Sequence, residues 1–325
     1  MISVIIPYYN PESDTTLEHL LERAVRSALS QFSAQDAIQV IVVDDGSPTP
    51  PKGTINAIGD SRTRLIEAAH GRLGAARNRG IEAAQGDVLA FLDADDYYFP
   101  GTLERCLDAM RECDADLFGF RFQICAEDES KTIKQQTIHL SEPVTGNGYM
   151  ARHTPVGSSC MYLISRSLLT GNNLRFAENT YMEDEDFTPR LLFHSKRYVA
   201  SDALVYAYCR RSGSITTAPL YDERAANTLN VIKRLVEFRR TVAAGHPQGI
   251  DRKIHFLAMD HIRRTLRRPD WRESLPVQTA ALQAEGLWPL FSTPAYGIRY
   301  RLFTSLSRCH AGLALLHINE KRYRL

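Results

Sequence analysis

The sequence predicts an α/β protein: a mostly parallel sheet flanked by helices, followed by a smaller, mainly helical region. Three observations carry this. Strand patterns alternate with helical ones over the first 218 residues, acidic and turn residues collect directly after the strand patterns, and Arg-rich helical periodicity takes over after residue 218. With 325 residues the chain exceeds the usual size of one core, so two domains are expected, 1–218 and 219–325.

Each element follows from local pattern. Ser3 to Pro7 is a β-branched run ended by Pro7-Tyr8-Tyr9-Asn10-Pro11, a strand entering a loop. Leu17, Leu20, Leu21, Ala24, Val25, Ala28 and Leu29 recur at helical spacing. Ile38 to Val43 is a second apolar strand, stopped by Asp44-Asp45-Gly46, and Leu65-Ile66 is a shorter third. Leu73 to Ala84 reads as a helix and Val88 to Leu92 as a buried strand stopping at Asp93. Residues 102–113 are helical in pattern, Asp116 to Cys125 strand-like, and 126–147 a polar loop or short hairpin. Met161 to Ser165 and Val199 to Arg210 resume the strand pattern. Beyond them, 222–244 and 251–267 are helical and Arg-dense. Residues 269–296, with Pro269, Pro276, Pro289 and Pro294 beside Trp271 and Trp288, show little regular pattern, and 297–318 reads as one basic amphipathic helix.

Composition narrows the classes. Residues 1–218 carry 21 Lys and Arg against 29 Asp and Glu, whereas residues 219–325 carry 18 against 9. Such a basic C-terminal third fits an anionic partner, such as a membrane surface or phosphorylated carrier, and equally a solvated helical face. Six cysteines without a CxxC pair argue against a zinc site and for reduced thiols. The start, Met1-Ile2-Ser3-Val4-Ile5-Ile6-Pro7, lacks the charged region of a signal peptide, and no apolar run reaches 18 residues. The expected location is the cytoplasm, free or lying against the inner face of the membrane. Nucleic acid is not an expected partner.

The sharpest chemical signal is Phe91-Leu92-Asp93-Ala94-Asp95-Asp96, with three carboxylates crowding the end of a buried strand. Their mutual repulsion is relieved if a cation sits among them. Hard oxygen ligands suit Mg²⁺ or Mn²⁺, completed by substrate phosphates. Alternatively, Asp95 and Asp96 merely cap the following helix. Three further segments bear on the choice. Asp44-Asp45 after the second strand offers an acceptor-only side chain to the N3–H of a uracil ring. Pro7-Tyr8-Tyr9-Asn10 places an aromatic face at the neighbouring strand end, and Gly74-Ala75-Ala76-Arg77-Asn78-Arg79-Gly80 opens a helix with small residues and Arg77, a partner for a diphosphate.

In this combination the chain resembles the family 2 glycosyltransferases, which have the GT-A fold, over residues 2–99 almost continuously and about two thirds of the chain in all. The resemblance implies that Pro7, Tyr9 and Asp45 hold the nucleobase with Asp44 close by, and that Arg77 steadies the nucleotide. It also implies that Asp93 meets the ribose or a metal-bound water, and that Asp95 ligates the Mn²⁺ or Mg²⁺ directly. Where relatives often carry Asn, this chain has His70-Gly71.

Tyr181-Met182-Glu183-Asp184-Glu185-Asp186-Phe187 is the second acidic cluster. Consecutive acids before an apolar periodic run suit a helix N-terminus, where the macrodipole favours negative charge. The resemblance adds a general base: Asp184 first, Asp186 second, Glu183 as orienting neighbour. The implied reaction moves a sugar from a nucleotide diphosphate sugar, UDP preferred, to a hydroxyl of a saccharide acceptor. One in-line displacement inverts the anomeric carbon, as in bacterial capsule, exopolysaccharide or lipopolysaccharide synthesis. Tyr206-Ala207-Tyr208-Cys209-Arg210-Arg211 through Ser214-Ile215-Thr216 is similar to a further family stretch, in which Arg210 or Arg211 closes over the diphosphate. Around Ser159-Cys160 the acceptor side departs from relatives that carry Trp or Lys, so acceptor contacts do not carry over.

Arg299, Arg301, Arg308, Lys321, Arg322 and Arg324 interleave with Leu302, Phe303, Leu306, Leu313, Leu315, Leu316 and Ile318 in the tail 297–325. That pattern fits a membrane-surface helix serving a lipid-linked acceptor, a homodimer interface, or packing within the protein. Three other functions fit the sequence less well. A sugar-phosphate nucleotidyltransferase would carry a Gly-rich basic loop after the first strand, where this chain has Pro7-Tyr8-Tyr9-Asn10. A noncatalytic nucleotide-sugar-binding module has no need of the intact acidic cluster. A nicotinamide oxidoreductase lacks its GxGxxG.

Overall fold

The computed structural model of the protein describes residues 1–126, 132–210, 221–291 and 296–322, with the side chains of residues 221, 321 and 322 set aside. They fall into two compact units: Met1–Gly146 with Pro155–Ala218, and Asn147–Thr154 with Pro219–Leu325.

The first unit is a mixed α/β sheet. Strand β1 (Ile2–Tyr8) is buried at every position, and β2 (Ile38–Asp44) at all but one, because helices cover both faces and a strand so placed must be apolar throughout. Helix α1 (Thr15–Leu29) separates them, its N-terminus capped by the Asp14 carboxylate accepting from Thr16 N–H at 2.8 Å. After β2 come α2 (Lys52–Ile58), β3 (Thr63–Glu67), α3 (Arg72–Ala83), β4 (Val88–Phe91), the two-residue β5 (Tyr97–Tyr98), α4 (Thr102–Glu112) and β6 (Leu117–Cys125). The remainder comprises β7 (Thr132–Gln135), β8 (Ser141–Val144), β9 (Tyr162–Ser165), α6 (Arg166–Gly171), α7 (Glu183–His194) and β10 (Tyr198–Cys209), while α5 (Gly146–Arg152), between β8 and β9 in sequence, belongs from Asn147 on to the second unit.

Strand order along the sheet is β3-β2-β1-β4-β9-β6-β10-β5, with β7 paired to β6 and β8 to β10. The block β3-β2-β1-β4 is parallel, as is β6 beside β10, while β9 runs antiparallel to both β4 and β6. Register fixes the working edge. Tyr8 lies opposite Asp44, Asp44 opposite Glu67, and Ile5 opposite Phe91, so the segments after β1, β2, β3 and β4 leave the sheet on one side. Ligands of open α/β sheets bind outside such carboxyl ends.

The glycines of α3 permit close packing against the protein itself. A Cβ at Gly80 would stand 2.2 Å from Ile5 Cγ2, and one at Gly74 2.2 Å from the carbonyl oxygen of Ala177. Helix α3 therefore presses on β1 and on the turn preceding α7.

Several elements depart from the sequence reading. Helix α2 escaped it because none of its seven residues is buried, leaving no apolar stripe. The region 126–147 contains β7 and β8, with residues 127–131 outside the description. Pro276, expected to break regular structure, lies inside a helix, α10 (Trp271–Ala284), whose buried Trp271, Leu275 and Leu282 keep helical spacing. The single helix expected over 297–318 is two, α11 (Ile298–Leu306) and α12 (His310–Arg322).

The second unit is helical, with α8 (Tyr221–Thr241), α9 (Gln248–Leu266), α10, α11 and α12. Helix α9 is its centre, burying Ile250, Ile254, Leu257, Ala258, Ile262 and Leu266. Helix α12 is tied to it: Arg263 and Arg267 donate to the buried Glu320 carboxylate at 2.8 and 2.7 Å, and His317 Nδ1 lies 2.6 Å from Leu266 O. Lys321, Arg322 and Arg324, the last basic residues of the tail, lie outside the described side chains.

Candidate active site

Three clusters meet at the sheet edge. The first follows β1 and β2. Tyr9, 43% exposed, faces the ring of His70 at 4.5 Å between centroids. Pro7 is buried within β1. Asp45 is buried, its Oδ1 accepting from Gly71 N–H at 2.8 Å. His70 Nδ1 stands 3.0 Å from both Asp45 Oδ2 and Asp45 O, so a single N–H divides between them. Asp44 points inward, accepting from Ser47 Oγ at 2.5 Å; burial raises its pKa against the pull of those bonds. Of the adjacent acids, Asp45 thus borders the Tyr9–His70 face and Asp44 braces the turn. Nothing in spacing marked His70, whose part depends on a ring meeting Tyr9 from a different loop.

The second cluster follows β4. Asp93 is 32% exposed at its side chain, and Asp95 is partly exposed, its backbone carbonyl accepting from Arg23 Nη2 at 2.5 Å. Asp96 is different. It is fully buried, and its oxygens accept from Tyr206 Oη at 2.5 Å and Cys209 N–H at 2.7 Å. Burial, then the charges of Asp95 and Asp93, push its pKa well above the usual carboxylate range despite those bonds. Asp96 therefore clasps β10 to this turn rather than capping a helix. Tyr206 Oη also accepts from Asp93 N–H at 3.2 Å, which fixes the turn's shape.

Asp93 and Asp95 are the residues here that could hold a divalent cation. Among the described residues no three His, Cys, Asp or Glu side chains gather into a protein-only cage. Asp93 and Asp95 supply hard oxygens at a partly open strand end, the arrangement that takes one or two carboxylates and leaves the remaining positions to phosphate and water.

Arg77 links the second cluster to the third. It is buried on α3, donating from Nη2 to Asp93 Oδ1 at 2.9 Å and from Nη1 to Glu183 Oε1 at 2.6 Å. Burial works against its charge, but Asp93, Cys160 and Glu183 outweigh it and hold its pKa above the ordinary value. Both terminal nitrogens of Arg77 thus engage the protein's own carboxylates. A second link runs parallel, with Arg72 Cζ lying 4.4 Å over the Tyr181 ring. Arg72 and Met182 both hold left-handed backbone, φ +66° and +61°, directly at the starts of α3 and α7. Such strain in non-glycine residues collects at working sites.

The third cluster is the first turn of α7, which holds Glu183, Asp184, Glu185 and Asp186. Asp186 is buried and salt-bridged to Arg190 Nη2 at 2.6 Å, a structural engagement within the helix. Asp184 keeps part of its surface open and accepts from Glu185 N–H at 2.9 Å. Lost hydration, then the charge of Glu183, push its carboxyl well above the usual range, against the pull of Arg77. Arg210 is exposed just past β10, its N–H bonded to Cys125 O at 3.1 Å; Arg211 and Ser214-Ile215-Thr216 lie outside the described residues.

Known proteins share the family and the fold. The family profile described as "Glycosyl transferase family 2" matches residues 3–171, just over half of the chain. The chain is 29% identical over 228 residues to the uncharacterized glycosyltransferase EpsJ of Bacillus subtilis, a match covering 67% of this chain and 64% of EpsJ. It is 28% identical over 222 residues to the succinoglycan biosynthesis protein ExoW of Rhizobium meliloti, covering 62% of this chain and 66% of ExoW. Each match thus spans just under two thirds of the relative's length. Among solved structures, residues 1–349 of TarS from S. aureus, in complex with UDP-GlcNAc, share the fold with TM-score 0.66 and 19% identity, over 99% of this chain and 89% of that one.

Proposed function

The chain belongs to glycosyl transferase family 2, and on that premise we propose that it moves a sugar from a nucleotide diphosphate sugar, UDP preferred, to an acceptor saccharide hydroxyl in polysaccharide assembly. The observation that carries this reading is the Arg77 bridge. One buried guanidinium ties Asp93, on the donor side, to Glu183, next to the candidate base. Inversion by single displacement needs a leaving-group side and a base side held in fixed relation.

Each group has a task. Tyr9 and His70 offer the ring faces for a base, and Asp45, oriented by Gly71 N–H, accepts its N–H. Asp95, with Asp93, would hold Mn²⁺ or Mg²⁺, which offsets the negative charge growing on the departing diphosphate. Arg77 holds Asp93 in place at the strand end. Asp184 takes the proton of the attacking hydroxyl as that oxygen bonds the anomeric carbon and the carbon–oxygen bond to diphosphate breaks. Its raised pKa makes it a stronger base than an exposed aspartate. Asp186, salt-bridged to Arg190, ranks behind it. Arg210, exposed just past β10, would contact the donor's diphosphate.

The tail belongs to the same proposal. Ile298 and Leu302 on α11, and Leu315 and Ile318 on α12, are all more than half exposed, beside the exposed Arg299, Arg301 and Arg308. Apolar side chains ringed by arginine suit an anionic membrane surface carrying a lipid-linked acceptor. No helix among the described residues is long and apolar enough to cross a bilayer.

Transfer is tested by incubating the protein with UDP-sugars, Mn²⁺ and candidate acceptors, comparing wild type with Asp184→Asn. The proposal expects turnover to fall by about 10²-fold or more with UDP affinity unchanged. Equal turnover would reject Asp184 as the base.

A further inference from the structure

The loops after β1, β2 and β3 converge on His70. Backbone pairing continues one step past the strands, with Asp45 N–H donating to Tyr8 O at 2.8 Å and Ala68 N–H to Asp44 O at 2.9 Å. That pairing carries Tyr9, Asp45 and His70 to one place at the sheet edge, although they lie far apart in sequence. Gly46 makes room for the third of them. It holds left-handed backbone, φ +80°, and a Cβ there would stand 2.8 Å from His70 N and 3.2 Å from His70 Cβ. Only glycine lets the two loops approach this closely.

The imidazole and Asp45 then fix one another. Nδ1 lies 3.0 Å from both Asp45 Oδ2 and the backbone Asp45 O, and a carbonyl oxygen can only accept, so Nδ1 carries the proton and the tautomer is set. Asp45 in turn has a donor on each carboxylate oxygen, Gly71 N–H on Oδ1 at 2.8 Å and His70 Nδ1–H on Oδ2 at 3.0 Å. An aspartate carboxylate is otherwise loosely held about its terminal torsion; this one is pinned in a single plane. The Nδ1–H of His70 is engaged by Asp45 and its ring lies 4.5 Å from Tyr9 between centroids, so that N–H acts on a ligand through Asp45.

We propose that His70 is a positioning residue that sets which nucleobase the donor must carry. By pinning Asp45 as a fixed acceptor it admits a pyrimidine with a ring N–H at N3, as in uracil, and rejects cytosine, whose N3 is itself an acceptor. This rests on the reading above, in which Asp45 takes the N–H of the base. Two acceptors facing each other cannot bond, and a site built to accept an N–H discriminates against the analogue that lacks it. A mobile carboxylate would turn to the exocyclic amine of cytosine instead; the two donors on Asp45 prevent that turn.

The test is calorimetric titration of the full-length protein with UDP and with CDP, both with Mn²⁺, in wild type, His70→Phe and His70→Asn. His70→Phe keeps a ring against Tyr9 but has no N–H for Asp45. His70→Asn has no ring but carries an amide N–H at the place of Nδ1. The side chain is 49% exposed, so both variants should fold, which thermal melts verify. Wild type is expected to bind UDP about tenfold or more tightly than CDP. In His70→Phe that ratio should fall below about threefold, whereas His70→Asn should weaken both nucleotides and keep the ratio of wild type. A ratio retained in His70→Phe, a ratio lost as fully in His70→Asn as in His70→Phe, or a wild type that binds UDP no more tightly than CDP would overturn the inference. Binding of UDP itself separates the two readings. If UDP binds wild type and only the ratios disagree, the assignment of His70 fails; if UDP does not bind wild type, the proposed function falls with it.

Discussion

Arg77 has two carboxylate partners and no other side chain could serve both. A lysine carries one point charge and cannot fork between Asp93 and Glu183. Removing the guanidinium leaves those acids partly desolvated without a counter-charge, so Arg77→Ala should destabilise by about 3–5 kcal/mol in urea unfolding. Arg77→Lys should retain the fold but lose turnover. Asp184 presents the opposite balance. With a folded-state pKa raised above the unfolded one, it contributes stability below the ordinary aspartate pKa that is lost as pH rises through the raised value. At pH 7.5 its ionised form therefore weakens the fold, and Asp184→Asn, which keeps the acceptor oxygen for Glu185 N–H, should melt higher than wild type while losing activity. The same shift sets the acid limb of the kcat profile above the exposed-aspartate range of about 4; a limb at or below that value would contradict Asp184 as a base. The acids themselves were legible in sequence, because carboxylates crowded after a buried strand need an explanation wherever they occur. Their division of labour was not. That Asp96 braces Tyr206 and Cys209, or that His70 faces Tyr9, depends on contacts across 110, 113 and roughly 60 positions.

At the scale of elements, β1, β2, β4 and α3 fix the site, and they were also the most readable. Strands buried on both faces carry uninterrupted apolar runs. Helix α2 and the Pro-containing α10 were hidden for the converse reason, one lacking any buried stripe and the other interrupted by Pro276. Small residues in α3 let the helix press closely on β1. Gly80→Ala tests it. Ala is the better helix former, yet its Cβ would meet Ile5 Cγ2 at 2.2 Å, and overpacking of this kind costs about 1–3 kcal/mol. The variant should unfold at lower denaturant, and an unchanged midpoint would show that β1 and α3 have more room than described. Tyr206→Phe probes the turn after β4. It deprives Asp93 N–H of its acceptor and Asp96 of a donor, so donor binding should weaken at least as much as stability.

Over the whole molecule, charge is unevenly spread, with 1–218 acidic and 219–325 basic. The tail's two helices serve more than a surface. Glu320 accepts from Arg263 and Arg267, so deleting 297–325 would remove part of the second unit's packing as well as any membrane contact. A cleaner probe is Ile298→Glu with Leu302→Glu, which alters only exposed positions; liposomes rich in anionic lipid should bind this variant less than wild type, and equal binding would reject the membrane contact.

The central claim is that Asp93 and Asp95 share a divalent cation with the donor's diphosphate. It is tested most directly by the thermal midpoint with UDP, with and without Mn²⁺, in wild type and Asp95→Ala. UDP and Mn²⁺ together should raise the wild-type midpoint more than the sum of either alone, and the excess should vanish in Asp95→Ala. An excess that persists in Asp95→Ala, or a UDP shift indifferent to Mn²⁺ in wild type, would contradict the account.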